Sequence, residues 1–245
     1  GEPVAIQDAN GYLTIQAFDT AGHLMHREGP TPTNAGSTKI AVDCEYDSRG
    51  RLALQREHRV QPDTGPGVVT QYFYDFNGNR TLVIDPNGKH YDYGYDGRNR
   101  LVLITYPPGP HGVTTDQFFY TSLGTLDHRI DPNGRLHQFH YDNLSRVDEE
   151  WHYESTGTLA EHIHRSYDGR GNQVHVGADV SRIAQDVAYN SLGQVTQVDW
   201  YVGGARWKQI VVPSGDGYDP AGNRPHVRGP ETEDIRYPYD DANRL

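Results

Sequence analysis

An aromatic residue followed by Asp-x-x-Gly returns every 21 to 29 residues along this chain, and no other feature restricts its fold as strongly. Aligned on the aromatic, the copies open at Phe18, Tyr46, Tyr74, Tyr95, Tyr120, Tyr141, Tyr167, Tyr189, Tyr218 and Tyr239. The next residue is Asp in eight of them (Asp19, Asp47, Asp75, Asp96, Asp142, Asp168, Asp219, Asp240), with Thr121 and Asn190 in the other two. Three residues further on stands Gly in seven (Gly22, Gly50, Gly78, Gly124, Gly171, Gly193, Gly222), Asn99 and Asn243 in two, and Ser145 in the last. Two positions beyond that, seven copies carry an aliphatic residue, from Leu24 to Leu245.

Each column has a physical reason. An Asp at the head of a turn accepts hydrogen bonds from backbone N–H groups a few residues on, holding the bend without help from a core. Gly or Asn then suits a left-handed backbone position that other residues enter only at a cost. The aromatic before and the aliphatic after flank the turn, placed to pair across the strands it joins. A second turn type stands ten residues ahead of three repeat aromatics: Asp8-Ala9-Asn10-Gly11, Asp85-Pro86-Asn87-Gly88 and Asp131-Pro132-Asn133-Gly134. Asn-Gly between apolar runs is a strong hairpin signal. Two alternating turn families joined by short strands predict an all-β chain, a long antiparallel meander.

The pattern resembles the Rhs or YD-repeat family, on ten copies in register, several with the fuller Tyr-Asp-x-x-Gly-Arg/Asn-Leu form. That family includes bacterial Rhs toxins, the B and C components of insecticidal toxin complexes, and teneurins. The resemblance implies a sheet that spirals into a hollow shell, which in the bacterial proteins encloses a C-terminal toxin. It implies as partners the remainder of the shell and that toxin, and a secreted or extracellular location reached by a dedicated secretion system. Family shells often carry a self-cleaving segment with paired Asp-Pro motifs after the repeats. This sequence ends before any such segment, so self-cleavage and toxicity are not carried over.

Composition agrees with a repeat sheet. Only 35% of residues are hydrophobic and the mean hydropathy is -0.79, yet 17 Tyr and many β-branched residues oppose disorder. The whole of 1–245 reads as one region of about ten repeats, expected to be a fragment of a longer shell, because Leu245 falls where a strand should begin. The net charge of -11 comes from 33 acidic residues among which 22 Lys and Arg are scattered. No basic cluster suggests nucleic acid as a partner, nor an anionic membrane surface. No leader and no apolar run near the length of a membrane span is visible, so no membrane insertion is expected. Cys44 is alone and reads as a small buried strand residue.

Along the chain, Gly29–Thr38 and Pro62–Gly67 read as surface loops, and Pro107-Pro108-Gly109-Pro110 as a local break in the sheet. The segment Gly177–Gln185 is least repeat-like, and a short helical turn is expected there. Val195–Tyr201 and Arg206–Val212 form an aromatic hairpin around Gly203-Gly204, with Trp200 and Trp207 near its end. Arg228-Gly229-Pro230-Glu231 is a loop between the last two repeats.

No motif of nucleophilic, phosphate-binding or dinucleotide chemistry occurs, so the chain reads as non-catalytic and no cofactor is assigned. His162 and His164, two apart on a strand, form half of a metal site, but zinc needs three or four ligands and His152 and Glu161 are not placed by sequence. No metal is assigned on that basis. The densest calcium-like stretch, Asp216–Asn223, lacks the register of a calcium loop, and turn capping explains its carboxylates. Asn79-Arg80-Thr81 and Asn143-Leu144-Ser145 match a glycosylation acceptor, yet both asparagines belong to repeat turns. Two functions follow. The first is a structural β-shell around a toxin or other polypeptide. The alternative is recognition of carbohydrate or a cell-surface protein through exposed aromatics, with Trp200 and Trp207 as contacts.

Overall fold

The computed structural model describes residues 3–7, 9, 13–31, 39–61, 67–110, 112, 114–212, 218, 223, 226–228 and 234–236. All regular structure among them is β, and the chain divides into two units, residues 1–117 and 118–245. The first unit holds β1 (Val4–Gln7), β2 (Leu13–Phe18), β3 (Leu24–Thr31), β4 (Lys39–Tyr46), β5 (Leu52–Gln61), β6 (Val68–Tyr74), β7 (Arg80–Ile84), β8 (His90–Tyr95) and β9 (Leu101–Thr105), and β10 (Thr115–Tyr120) begins in it. The second holds β11 (Leu126–Ile130), β12 (Leu136–Tyr141), β13 (Val147–Tyr153), β14 (Leu159–Tyr167), β15 (Gln173–Ala178), β16 (Ile183–Tyr189), β17 (Val195–Val202), β18 (Ala205–Val211), β19 (His226–Arg228) and β20 (Asp234–Arg236).

Each strand pairs antiparallel with its sequence neighbours, from β1 to β10 in the first unit and from β11 to β20 in the second. β-Branched and aromatic residues drive this locally: β6 reads VVTQYFY and β8 reads HYDYGY. Hairpin turns in such a meander alternate between its two edges. The Tyr-Asp turns join β2–β3, β4–β5, β6–β7 and β8–β9, then β10–β11, β12–β13, β14–β15 and β16–β17, so in each unit they share one edge.

The sheet has little core. Ala41, Cys44 and Val212 are the buried apolar residues among those described, and no large side chain is fully buried. Both faces of most strands are half-exposed, as a single layer of sheet requires. Cys44 lies in β4, and burial pushes its thiol up.

Two local expectations are corrected. Gly177–Gln185 contains no helical turn: β15 and β16 are joined by a tight turn over Asp179–Arg182, with Ala178 opposite Ile183. Glu161 holds that turn by accepting the N–H groups of Val180 and Ser181 at 2.7 and 3.0 Å. Pro107-Pro108-Gly109-Pro110 does not break the sheet. β9 and β10 pair across it, the Tyr106 N–H reaches Thr114 O at 3.0 Å, and Gly109 and Gly112 exchange backbone bonds. The prolines sit where the ladder asks for no donor. β3 and β5 extend to Thr31 and Gln61; residues 32–38, 62–66 and 229–231 lie outside the described residues, as does most of Asp216–Asn223.

Candidate functional site

The repeated Tyr-Asp turns are the sites where this chain does its structural work, and their geometry is uniform. At Tyr46-Asp47, the Asp47 N–H donates to Arg51 O at 2.8 Å and the Gly50 N–H returns to Asp47 O at 2.9 Å. Asp47 Oδ1 accepts the N–H groups of Arg49 and Arg51 at 2.9 and 3.0 Å. Gly50 has φ +76°, a left-handed residue completing a type I turn with a bulge, and the register slips beside Tyr46 accordingly. The same reciprocal backbone bonds close Asp19–His23, Asp75–Asn79, Asp96–Arg100, Thr121–Thr125, Asp142–Arg146, Asp168–Asn172 and Asn190–Gln194. Gly78, Asn99, Ser145 and Gly171 are all left-handed.

The other turn family turns out to use the same closure. Asp85 Oδ1 accepts from Asn87 and Lys89, Asp131 Oδ1 from Asn133 and Arg135, and both show the same backbone exchange. Tyr153-Glu154-Ser155-Thr156-Gly157 is another: the Glu154 N–H bonds Thr158 O and the Gly157 N–H bonds Glu154 O, both at 2.8 Å. Its aromatic, acid, glycine and Leu159 follow the repeat spacing, hidden in sequence by Glu standing for Asp.

Two further features tie successive repeats together. Among the described residues seven repeat tyrosines donate the hydroxyl to a backbone carbonyl of the preceding closure, that of the residue six positions after the earlier aromatic: Tyr46 to Leu24 O (3.0 Å), Tyr74 to Leu52 O (2.9 Å), Tyr95 to Arg80 O (3.0 Å), Tyr141 to Leu126 O (2.9 Å), Tyr167 to Val147 O (2.6 Å), Tyr189 to Gln173 O (3.1 Å) and Tyr218 to Val195 O (2.9 Å). Burial holds the Tyr46, Tyr95 and Tyr141 phenols above their ordinary range, keeping them as donors. The residue five after the aromatic supplies the second tie. Arg51 Nε meets Asp47 Oδ2 at 2.7 Å, its guanidinium lies 4.5 Å from the Tyr74 ring centroid, and it also donates to Asp75 O. Arg146 likewise joins Asp142 to Tyr167, 4.3 Å from its ring centroid, and His23 joins Asp19 to a stack on Tyr46.

These contacts set the charges. Hydrogen bonds from the Arg51 backbone N–H and guanidinium hold the Asp47 carboxyl down at about 2. Asp96, beside Arg100, and Asp142, beside Arg146, are lowered for the same reason, and the side-chain amides of Asn79 and Asn172 lower Asp75 and Asp168. The arrangement can clamp neighbouring hairpins together.

Of the remaining residues expected at closures, Asp219, Gly222, Tyr239 and Asp240 lie outside the described residues. Trp200 is half-buried opposite Lys208, whereas Trp207 falls at a slip in the β17–β18 register and is 70% exposed. His162 and His164 stand together on β14 with Asp179 beside them; His152 instead meets Glu150 and the His137 ring, and Glu161 is taken by the Val180–Ser181 turn. What sequence reading missed is the partner of each phenol, which lies a whole repeat away.

Residues 74–110 match the RHS Repeat family. No curated protein matches the sequence. Among solved structures, the crystal structure of TcdB2-TccC3-TEV shares 13% identity with a TM-score of 0.72, covering 100% of this chain and 13% of that one. A mutant Tc holotoxin pore from Photorhabdus luminescens, and TcdB2-TccC3 without its hypervariable C-terminal region, each share 14% identity with a TM-score of 0.66. Each covers 97% of this chain and 15% of its own, so the chain spans about one seventh of the length of the structures it resembles. The chain carries an RHS repeat and has the antiparallel repeat-sheet fold of these toxin-complex proteins.

Proposed function

We propose that this chain is a section of wall in a repeat-built β-shell that surrounds a polypeptide cargo, and that its role is structural and non-catalytic. The observation that carries the reading is the inter-repeat staple. Among the described residues seven repeat phenols reach a carbonyl of the previous closure, so within each unit a sheet with little core is fastened hairpin to hairpin. Such a layer gains stability from neighbours rather than from an interior, as stacked repeats do. A wall needs that property and a globular catalyst does not. The likeness of the whole chain to one stretch of much longer toxin-complex chains supports a piece within a larger enclosure.

On this reading 1–245 is one repeat region, its partners are the rest of its own shell and a toxin polypeptide inside it, and the assembled protein acts outside the cell that makes it. The test is protease challenge of the complete protein with its cargo, against the cargo expressed alone. Shelled cargo should survive until the sheet unfolds. Equal digestion of free and shelled cargo would overturn the proposal.

A further inference from the structure

We propose that His162, His164 and Asp179 form a binding site for a zinc-class divalent cation on one face of the second unit. One donor atom from each residue lies within 4.8 Å of the others. His162 Nδ1 is 2.8 Å from Asp179 Oδ2, and His164 Nδ1 is 3.6 Å from Asp179 Oδ1. Ligand atoms around tetrahedral zinc, with bonds near 2.0–2.2 Å, stand about 3.3 Å apart. The two imidazole–carboxylate separations lie on either side of that value, each to a different Asp179 oxygen, and with one donor atom from each residue within 4.8 Å of the others the side chains need close only slightly around an ion. Imidazole with carboxylate suits zinc, copper, nickel or iron rather than calcium or magnesium.

The atoms behind the ligands strengthen the assignment. Metal-bound histidines pass their other ring N–H to a partner that fixes tautomer and orientation. His162 Nε2 faces Glu149 Oε2 at 3.3 Å. His164 Nε2 faces His175 Nε2 at 3.2 Å, and His175 Nδ1 in turn meets Asp186 Oδ1 at 2.5 Å. One set of tautomers satisfies all of this. His162 gives its Nε2 proton to Glu149, His164 gives its own to His175, and His175 gives its Nδ1 proton to Asp186. Both ligand Nδ1 lone pairs then turn to Asp179.

The fold builds the site from three separate devices. His162 and His164 share a face because they are two apart on β14. Asp179 is set by its own N–H, which donates to His162 O at 2.9 Å, and by the turn that Glu161 caps. Gly177, opposite His164 in the ladder, leaves the space in which the rings meet: a Cβ there would stand 2.5 Å from His164 Nε2 and 3.0 Å from His175 Nε2. An open hollow of about 430 Å³, lined by His164, His175, Asp179 and Asp186, adjoins the cluster and leaves room for water to complete the coordination. The site would fasten β14 to the β15–β16 turn where no core does so.

The test is titration of the metal-free 245-residue chain with Co²⁺, read by its visible absorption, and with Zn²⁺ in competition. One saturable equivalent is expected. His164→Gln and the near-isosteric Asp179→Asn should weaken binding at least tenfold, and the outer partner change His175→Gln about tenfold. His152→Gln, on the ring beside His137, should leave affinity unchanged. Far-ultraviolet circular dichroism establishes that each variant is folded. Absence of saturable binding by the wild-type chain would overturn the proposal, as would unchanged affinity in folded His164→Gln and Asp179→Asn.

Discussion

Asp142–Arg146 and Asn190–Gln194 close two hairpins of the same unit with the same backbone bonds, yet they join their neighbours differently. In both, one side-chain oxygen accepts two turn N–H groups at 2.8–3.0 Å. At Asp142 the second oxygen takes Arg146, whose guanidinium covers Tyr167 in the next repeat. At Asn190 the polarity reverses, the amide donating to Gln194 Oε1 at 2.8 Å, with no cation to pass on. The turn therefore needs only an acceptor, while the charge serves the coupling between repeats. A YD column in a sequence mixes these two demands.

The largest effect that sharpens this difference is removal of a stapling ring. Tyr167→Ala loses a hydroxyl bond to Val147 O, half-buried ring packing and the Arg146 contact; a loss of about 3 kcal/mol is expected in urea unfolding. Tyr189→Ala loses the bond to Gln173 O and its packing, and follows a closure ending in Asn172 rather than a cation, so about 2 kcal/mol is expected. Equal losses would show that the cation adds nothing. Next come the left-handed glycines. Gly171→Ala and Gly193→Ala, at φ +94° and +78°, should each cost about 1–2 kcal/mol, alike because turn backbone is common to both closure types. A clear inequality would break the claim that the turn is indifferent to charge.

Acid separates the two types by sign. A carboxyl held below its unfolded value of about 3.9 stabilises the fold above that pH and loses its contribution as pH falls through the folded value. Asp142, lowered by Arg146, and Asp47, at about 2, both belong to this class, so urea midpoints should decline below about pH 4, most steeply between the unfolded and folded values, and level off below about pH 2. Asp142→Asn keeps an oxygen for the turn, as Asn190 does, and should flatten that acid limb while changing the neutral midpoint less. An unchanged limb would mean the Asp–Arg contacts are not coupled to folding.

The antiparallel meander was legible because the turn chemistry is local: Asp, two residues and a left-handed Gly or Asn lie within one bend and need no knowledge of the rest of the chain. Sequence periodicity also placed Tyr46 beside Leu52, which face each other across the closure. The phenol partners were not legible, because Tyr74 reaches Leu52 O only once β5 and β6 have paired in register. Asp179 escaped for a related reason: it stands in a turn without the repeat signature, and its place beside His162 is set by the pairing of β14 with β15. Helical expectation over Gly177–Gln185 failed because Glu161, nineteen residues before Val180, supplies the cap that the local sequence lacks.

The smallest expected effect tests the turn by itself. Ser145 occupies the position filled by glycine in most closures and sits at φ +60°, where a Cβ is unfavourable, while its N–H still bonds Asp142 O at 2.9 Å. Ser145→Gly removes that local strain and also widens the freedom of the unfolded chain, two effects of opposite sign. The strain term of about 1–2 kcal/mol is the larger, so a net gain of up to about 1 kcal/mol is expected. Asn99, at φ +61°, tolerates the left-handed region better than serine, and Asn99→Gly should gain less. Its amide oxygen also accepts from Asn77 and Asn79 at 3.0 and 2.9 Å, contacts to the preceding closure that glycine would delete. If Asn99→Gly stabilises as much as Ser145→Gly, those cross-closure bonds contribute nothing, and stapling at this closure rests on its other contacts.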